Sequence, residues 1–366
     1  MKTKKQGKSD EFKKNLFLFI AAVLVFFLIF EAVLRIFSYP VYGFQEGAFQ
    51  KDSIIGYLPS SNYSGLQSLY QRVVKINTNS KGLRDFREYS YEKTKKKRIL
   101  ILGDSYAFGN GVELEESYPE LLRKKLNNTE IINLGVPGYG INNEYLYYIN
   151  EGMKYDPDIV IVHFSINDWG TDQIVESENG DCIDRNYSLV ANEKGYLVSG
   201  NRNEGLIRSV HLFLLANLRS YSFIYSKSRL LFAPIIKRLQ KTKEAPLMYS
   251  SKNSEAYKAA YQGYYNLLKK IKKAGKADII LFVGPHNADL ISPETINREY
   301  GLNNSAGTAQ LKESLREISD RLKIKFINIE IEDLENKDIF LKVDGHWTTT
   351  GHKLITEKLY SNLKEA

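Results

Sequence analysis

The sequence predicts an α/β fold: a three-layer α/β/α sandwich around a mainly parallel, flavodoxin-like five-stranded sheet, preceded by an N-terminal transmembrane helix. Three observations predict it. Short, nearly continuous apolar runs recur at 99–102, 131–134, 159–164, 279–283 and 325–329; strands read this way when both faces of a parallel sheet are covered. Segments with helical period alternate with these runs, which places helices on both faces of the sheet. Ahead of them lies an apolar stretch over 16–37 whose only charges are Glu31 and Arg35.

The N-terminal elements come first. Residues 1–15 form a basic tail, and six lysines against Asp10 and Glu11 give its first fourteen residues half of the formal charge of +8. The rest of the chain is too weakly basic to track a phosphate backbone, so nucleic acid is not expected as a partner. The 22 residues of 16–37 make a helix of about 33 Å, enough to cross a bilayer. Glu31 and Arg35 stand on one helical face near its far end, where they can pair and reach the interface. No small-x-small cleavage site follows in 30–44, so the segment reads as an uncleaved signal-anchor. The lysines before it place the tail in the cytoplasm and the chain beyond Tyr39 outside.

Residues 38–97 read as a juxtamembrane segment of short strands and turns. It closes on five basic residues within 93–98, a solvated lead-in to the first strand rather than a headgroup contact. The main domain is expected over 98–366. Ser117 and Glu120, with Pro119 between them, give a capping-box pattern for a helix through about 126. Further helices are expected over 141–153, over 253–273 before Gly275, and over 350–363, with Ile355, Leu359 and Leu363 on one stripe. Residues 170–250 are too long for a connection and read as an insertion. Within it, 206–239 mixes apolar, aromatic and basic residues; the alternatives are helices packed on the domain, a lid, or a helix on the membrane surface. The composition, 43% hydrophobic, excludes disorder and a multi-span channel. A single cysteine, Cys182, excludes an internal disulfide and a cysteine-rich zinc site.

Ligands in open α/β sheets bind outside the carboxyl ends of the strands, and four matching blocks stand there. The first strand runs into Gly103-Asp104-Ser105-Tyr106. The second is followed by the Gly135-Val136-Pro137-Gly138-Tyr139-Gly140 loop. The third ends in Ser165-Ile166-Asn167-Asp168, and Asp344-Gly345-His346-Trp347 precedes the last helix. In this order the blocks resemble those of the SGNH (GDSL-type) hydrolase superfamily of esterases and acyltransferases, over about 98–365. The resemblance implies Ser105 as nucleophile, His346 as base and Asp344 as its acid partner, with Ser105, Gly138 and Asn167 forming the oxyanion hole.

Elementary chemistry asks for the same roles. A serine hydroxyl needs a base, and imidazole titrates in the right range. A carboxylate fixes the imidazole tautomer. Backbone and amide donors stabilise the tetrahedral oxyanion, each worth about 10² to 10³ in rate. Tyr106, Ser165 and the Asp-x-His spacing depart from the usual family pattern, and Asp-x-His-Trp resembles the alginate O-acetylation proteins. That resemblance points to ester-linked, O-acetyl groups on an extracytoplasmic polysaccharide, with polysaccharide-assembly proteins as partners. A non-catalytic glycan-binding module and a lipid-directed lipase are the alternatives.

His352 is the rival base, six residues beyond His346. His286 and Trp347 are weaker candidates for substrate contact on the site's rim, His163 reads as a core histidine, and Asp168 reads as loop support. His211 belongs to the inserted segment and has no partner in view. The five histidines form no metal-ligand spacing, and neither a dinucleotide loop nor a Walker lysine is present, so no cofactor is expected. The α/β-hydrolase elbow needs glycine where Ala107 stands.

Overall fold

The computed structural model of the chain describes residues 2–93, 97–169, 189–191, 197–199, 206–239, 245–302, 305–334 and 338–364. Cys182, part of the 93–98 basic run and much of the 170–250 insertion lie outside them. Five parallel strands form the central sheet: β1 (Lys97–Leu102), β2 (Thr129–Asn133), β3 (Ile159–Phe164), β4 (Asp278–Val283) and β5 (Lys325–Asn328). Their spatial order is β5-β4-β3-β1-β2, the flavodoxin-like order, with its topological switch between β1 and β3.

The strand period of two divides the core. Leu100, Leu102, Val160, Val162, Leu281 and Val283 point to one face, and Ile99, Ile101, Ile159, Ile161, Ile280 and Phe282 to the other. Each face carries helices. On the first lie α4 (Ile141–Asn150), α7 (Glu255–Ala274) and α9 (Ala309–Leu322); on the second lie α3 (Tyr118–Lys125) and α10 (Thr349–Lys364). All six residues of β3 are buried, which is why the strand reads as an unbroken apolar run.

The expected capping box at α3 does not form. The Ser117 hydroxyl donates to the Leu114 carbonyl at 2.7 Å, and Glu120 accepts instead from Arg87 and Arg123. The orphan N–H of Tyr118 is satisfied by His352 Nδ1 at 3.1 Å, so a tertiary partner replaces the local one. The helix expected over 141–153 ends at Asn150 and is followed by a 3₁₀ turn, Gly152–Tyr155.

Helix α1 spans Lys2–Ile36, and its Glu11–Ile36 portion is long and apolar enough to cross a membrane. Arg35 pairs with Glu31 at 2.7 Å, as their spacing predicts. The segment after it is built from antiparallel pairs: Gly43–Phe44, Ser64–Ser68 and Val73–Asn77 in one sheet, Phe49–Asp52 and Gly56–Pro59 in another. Phe49, Ile55 and Tyr57 join the main core beside α4. Two helices of the inserted segment are described, α5 (Leu206–Asn217) and α6 (Arg219–Leu239).

Arg98, expected as the end of a solvated run, is fully buried and pairs with Glu130 at 2.5 Å. Its guanidinium also donates to the carbonyls of Tyr155 and Tyr91, at 2.5 and 3.2 Å. It therefore pins β1, β2 and the turn before β3 together. Replacing it by alanine removes the buried guanidinium and leaves these carbonyls short of a donor. Arg98→Ala is expected to cost about 3–5 kcal/mol, read as a lowered urea midpoint at unchanged slope.

Candidate active site

Ser105 emerges from the carboxyl end of β1. The strand exit is tight: a Cβ on Gly103 would stand 2.7 Å from Ala107 Cβ and 3.1 Å from His163 Cβ, so only glycine passes. Asp104 then caps a single helical turn, α2 (Ser105–Phe108), its Oδ1 accepting from Tyr106 N–H at 2.9 Å. This puts Ser105 at the amino end of α2, where backbone N–H groups lack intrahelical partners. The turn ends at Gly109, φ +85°. Arg84 closes that end from outside the domain expected to hold the chemistry, donating to the carbonyls of Phe108, Gly109 and Val112 at 2.6–2.8 Å. A buried cation on these carbonyls complements the helix terminus, and burial lowers its pKa to about 10.

The loop after β2 is tied to the first. Val136 N–H donates to the Gly103 carbonyl at 3.0 Å, and Tyr139 N–H closes a turn onto the Val136 carbonyl at 3.1 Å. Pro137 and Gly138 occupy its centre, and Gly138 has φ +82°, the arrangement of a type II turn in which the third position requires glycine. The loop after β3 is tied to the second in turn. Asn167 Nδ2 donates to the Tyr139 carbonyl at 2.7 Å, and Ser165 N–H donates to Asp168 Oδ2 at 2.7 Å.

Asp344 and His346 share a tight turn before α10. Leu341 N–H donates to the His346 carbonyl at 2.7 Å, Gly345 N–H to the Leu341 carbonyl at 3.1 Å, and Phe340 bridges to Trp347. Gly345 has φ +82°, and a Cβ there would come within 2.5 Å of Asn287 Nδ2. The turn aims both polar side chains inward. His346 Nδ1 is 2.5 Å from Asp344 Oδ2, and Nε2 is 2.7 Å from Ser105 Oγ. Burial pushes the His346 imidazole down, but the hydrogen bond and charge of Asp344, helped by Asp104, outweigh it and hold the pKa above its ordinary value. With Nδ1–H donated to Asp344, Nε2 is the lone-pair nitrogen facing the serine.

The remaining residues sort by geometry. His352 does not approach Ser105: it is fully buried, stacks on Tyr118 and is pushed by burial to a pKa of about 3. His163 is a core residue with Nδ1 against the Tyr118 hydroxyl at 3.1 Å. His211 contacts the Tyr221 hydroxyl within the α5–α6 pair. His286 and Trp347 line an apolar pocket beside the triad, with Tyr106, Ile166 and Val283. Burial holds His286 near a pKa of about 4. Trp347 gives its N–H to the Pro285 carbonyl at 2.9 Å and is 1% exposed, so it offers the pocket ring surface only. Both departures in the first and third blocks have partners. Tyr106 donates its hydroxyl to the Gly345 carbonyl at 3.0 Å. Burial raises the Asp104 pKa, and the Tyr106 N–H with the Ser165 and Asn167 side chains pulls against that rise.

Two functional residues escaped the sequence reading. Nothing in the composition around Arg84 marks it as a clamp on α2. Glu144 did leave a signal, since it falls on the Ile141–Tyr148 stripe that α4 buries. Both Glu144 carboxylate oxygens and Asp168 Oδ1 are buried without a hydrogen-bond partner, behind the loops that carry Gly138 and Asn167. Burial raises both pKa values well above the carboxylate range, helped at Glu144 by the charges of Asp168 and Asp104 and at Asp168 by that of Asp104. Asp168 thus supports its loop, as expected, and does so beside a second acid.

A partly buried serine–imidazole–carboxylate chain at a strand exit defines a serine hydrolase for ester bonds. The family model described as GDSL-like lipase/acylhydrolase matches residues 101–354, and the chain belongs to that family. Solved structures similar to it include the psychrotrophic esterase EstA from Pseudoalteromonas sp., at 15% identity and TM-score 0.40, covering 74% of this chain and 98% of that one. The lipase/acylhydrolase from Enterococcus faecalis has 14% identity and TM-score 0.39, covering 74% and 96%. A member of the lipolytic protein G-D-S-L family from Veillonella parvula has 11% identity and TM-score 0.39, covering 74% and 100%. No curated protein matches the sequence.

The raised carboxyls make stability depend on pH with a defined sign. The unfolded chain ionises glutamate and aspartate above about pH 4, whereas the fold keeps Glu144 and Asp168 protonated to higher pH, so stability falls as pH rises through that interval. Glu144→Gln removes one such group without changing its shape. Urea unfolding from pH 4 to pH 8 is expected to show a smaller loss of stability in the variant than in the wild type.

Proposed function

We propose that this enzyme is a membrane-anchored esterase or O-acyltransferase acting through Ser105, His346 and Asp344 on ester-linked, O-acetyl groups of an extracytoplasmic glycan. The observation that carries the chemistry is the continuous chain from Asp344 Oδ2 to His346 Nδ1 at 2.5 Å and from His346 Nε2 to Ser105 Oγ at 2.7 Å. His346 takes the Ser105 proton as Oγ attacks the acyl carbonyl, and Asp344 stabilises the imidazolium that forms. The carbonyl oxygen becomes an oxyanion, held by the backbone N–H groups of Ser105 and Gly138; the Asn167 amide, which bonds to the Tyr139 carbonyl and to Asp104, joins them by giving up one of these bonds. Collapse expels the alcohol oxygen, which takes the proton from His346 and leaves an acyl-serine. Water or a sugar hydroxyl, deprotonated by the same imidazole, then receives the acyl group and restores Ser105.

The acyl part of the assignment rests on the pocket beside the triad. Tyr106, Ile166, Val283 and Trp347 give it an apolar lining, suited to a short acyl chain. The anchor rests on the exposed apolar surface of Glu11–Ile36, where Leu34 alone is buried, and on the lysines before it. The glycan rests on the Asp344-Gly345-His346-Trp347 block and on that topology, with polysaccharide-assembly proteins as the partners such a placement implies.

A fluorophosphonate probe tests the chemistry without assuming a substrate. The detergent-solubilised full chain is expected to label at Ser105, with labelling abolished by Ser105→Ala and reduced at least about 10²-fold by His346→Ala. Labelling undiminished in Ser105→Ala removes the assignment. The pH profile tests the base. The rate is expected to rise with pH and level off above an inflection higher than 6.5, since only neutral imidazole accepts the proton. Asp344→Asn is expected to lower that inflection and to cut the rate by about 10⁴. Acetylated and free oligosaccharides, followed by mass, separate hydrolysis from transfer and test the glycan.

A further inference from the structure

Helix α6 turns apolar side chains outward and serines inward, the reverse of what water favours, and α5 also exposes large apolar side chains although it buries Leu215. Among the described side chains of α6, the buried ones are Ser220, Ser222 and Ser226, while Ile224, Leu231 and Phe232 are 43%, 74% and 52% exposed. On α5, Val210 and Phe213 are 47% and 63% exposed. Solvent normally produces the opposite arrangement, and a contiguous exposed apolar patch marks an interaction surface. The serines are held inside by specific bonds: Ser222 Oγ accepts from Tyr42 N–H, and Ser226 donates to the Ser222 carbonyl at 2.9 Å.

The charge on this stretch points to the occupant. Residues 205–243 contain eight lysines and arginines and no acidic residue, and exposed Lys227 lies on the same stripe as Ile224 and Leu231. So does the place where the pair is docked. The turn between α5 and α6 sits on the far end of α1: Ser220 N–H donates to Glu31 Oε2 at 2.8 Å, Arg219 donates to the Leu34 carbonyl at 3.2 Å, and Arg35 donates to the Asn217 carbonyl at 2.9 Å. Phe223 packs edge-on against both Phe30 and Tyr39. The apolar face of the pair is therefore attached to the apolar helix at the level where that helix leaves its span.

We propose that α5 and α6 lie in the headgroup region of the leaflet from which α1 emerges, and bind an anionic lipid surface through Val210, Phe213, Ile224, Leu231 and Phe232. The inference rests on the anchoring of α1. Basic, apolar-faced helices bind interfaces by burying apolar area and by attracting anionic lipid, and both terms are present here. The five exposed side chains then meet acyl chains rather than water.

The full chain, reconstituted in phosphatidylcholine–phosphatidylglycerol vesicles, tests this with a polarity-sensitive label on single cysteines in a Cys182→Ser background. The label positions are Phe213→Cys and Leu231→Cys on the pair, Phe26→Cys in α1, and Lys258→Cys on α7 as an exposed reference. Shallow spin-labelled lipid is expected to quench the 213 and 231 labels several-fold more than the 258 label, which aqueous iodide quenches instead. Deep spin-labelled lipid is expected to quench the 26 label. If that last label is quenched while 213 and 231 stay open to iodide, the surface proposal falls and the anchor stands. If lipid does not quench the 26 label, the anchor falls, and this proposal with it. Labels at 213 and 231 shielded from iodide but not quenched by lipid mean that a protein partner or a second copy covers the face, which overturns the proposal. Equal quenching in pure phosphatidylcholine overturns the assignment to an anionic surface.

Discussion

The hydrogen bond from the Tyr106 hydroxyl to the Gly345 carbonyl, 3.0 Å long, joins the two parts of the chain that must meet for chemistry. Ser105 belongs to a one-turn helix at the start of the domain, and His346 to a turn 241 residues later. Neither is held by the other, because a serine–imidazole contact has to yield during turnover. Tyr106 follows the nucleophile directly, so its ring carries the constraint from α2 to the histidine turn. The ring is buried and packs against His346, Trp347 and His286 with centroids 4.9 to 5.5 Å apart. A leucine here would fill the space but leave the Gly345 carbonyl without this donor, and a buried carbonyl left unpaired costs about 1–3 kcal/mol.

Burial is severe around this tie, and it is managed by protonation state rather than by ion pairing alone. Asp104, Glu144 and Asp168 are all within the core; burial raises each of them, and the charge of Asp104 adds to the rise at Asp168 and Glu144. Asp104 is spared the full penalty because the Tyr106 N–H and the Ser165 and Asn167 side chains bond to it. Glu144 and Asp168 have fewer partners, and burial raises their pKa values well above the carboxylate range. The cost is placed behind the loops after β2 and β3, which are then fixed by the bonds of Asn167 to Tyr139 and of Ser165 to Asp168. On the opposite side Arg84 provides a buried positive charge, so the α2 turn is held at both ends.

What could be read from the sequence follows from how local each feature is. The five strands were legible because each is covered on both faces and so lacks polar alternation. The turn at Pro137-Gly138 was legible because its backbone admits few residue types. The capping pattern of Ser117 and Glu120 misled because Arg87 and Arg123 draw the glutamate away: Arg123 stands only three residues on, but Arg87 is 33 positions off and gives no local warning. Arg98 misled for a similar reason: a run of basic residues looks solvated until one of them finds Glu130 and a set of carbonyls. Arg84 left no trace, since its partners are backbone carbonyls of residues more than twenty positions away. The meaning of Tyr106 and Ser165 was visible only as departure, and geometry turned each departure into a contact.

The two-residue spacing of Asp344 and His346 has a mechanical consequence. With the acid and base on opposite sides of a glycine in a left-handed turn, they form a single rigid unit closed by the Leu341–His346 backbone bond. Displacement of that unit changes the distance from imidazole to serine while the imidazole–carboxylate pair travels intact. Activation of the nucleophile thus has one degree of freedom. Whatever presses on the 341–346 turn, whether substrate or the tilted pair of tyrosines Tyr42 and Tyr70 near Asp344, therefore acts on the imidazole–serine distance while the imidazole–carboxylate bond is kept.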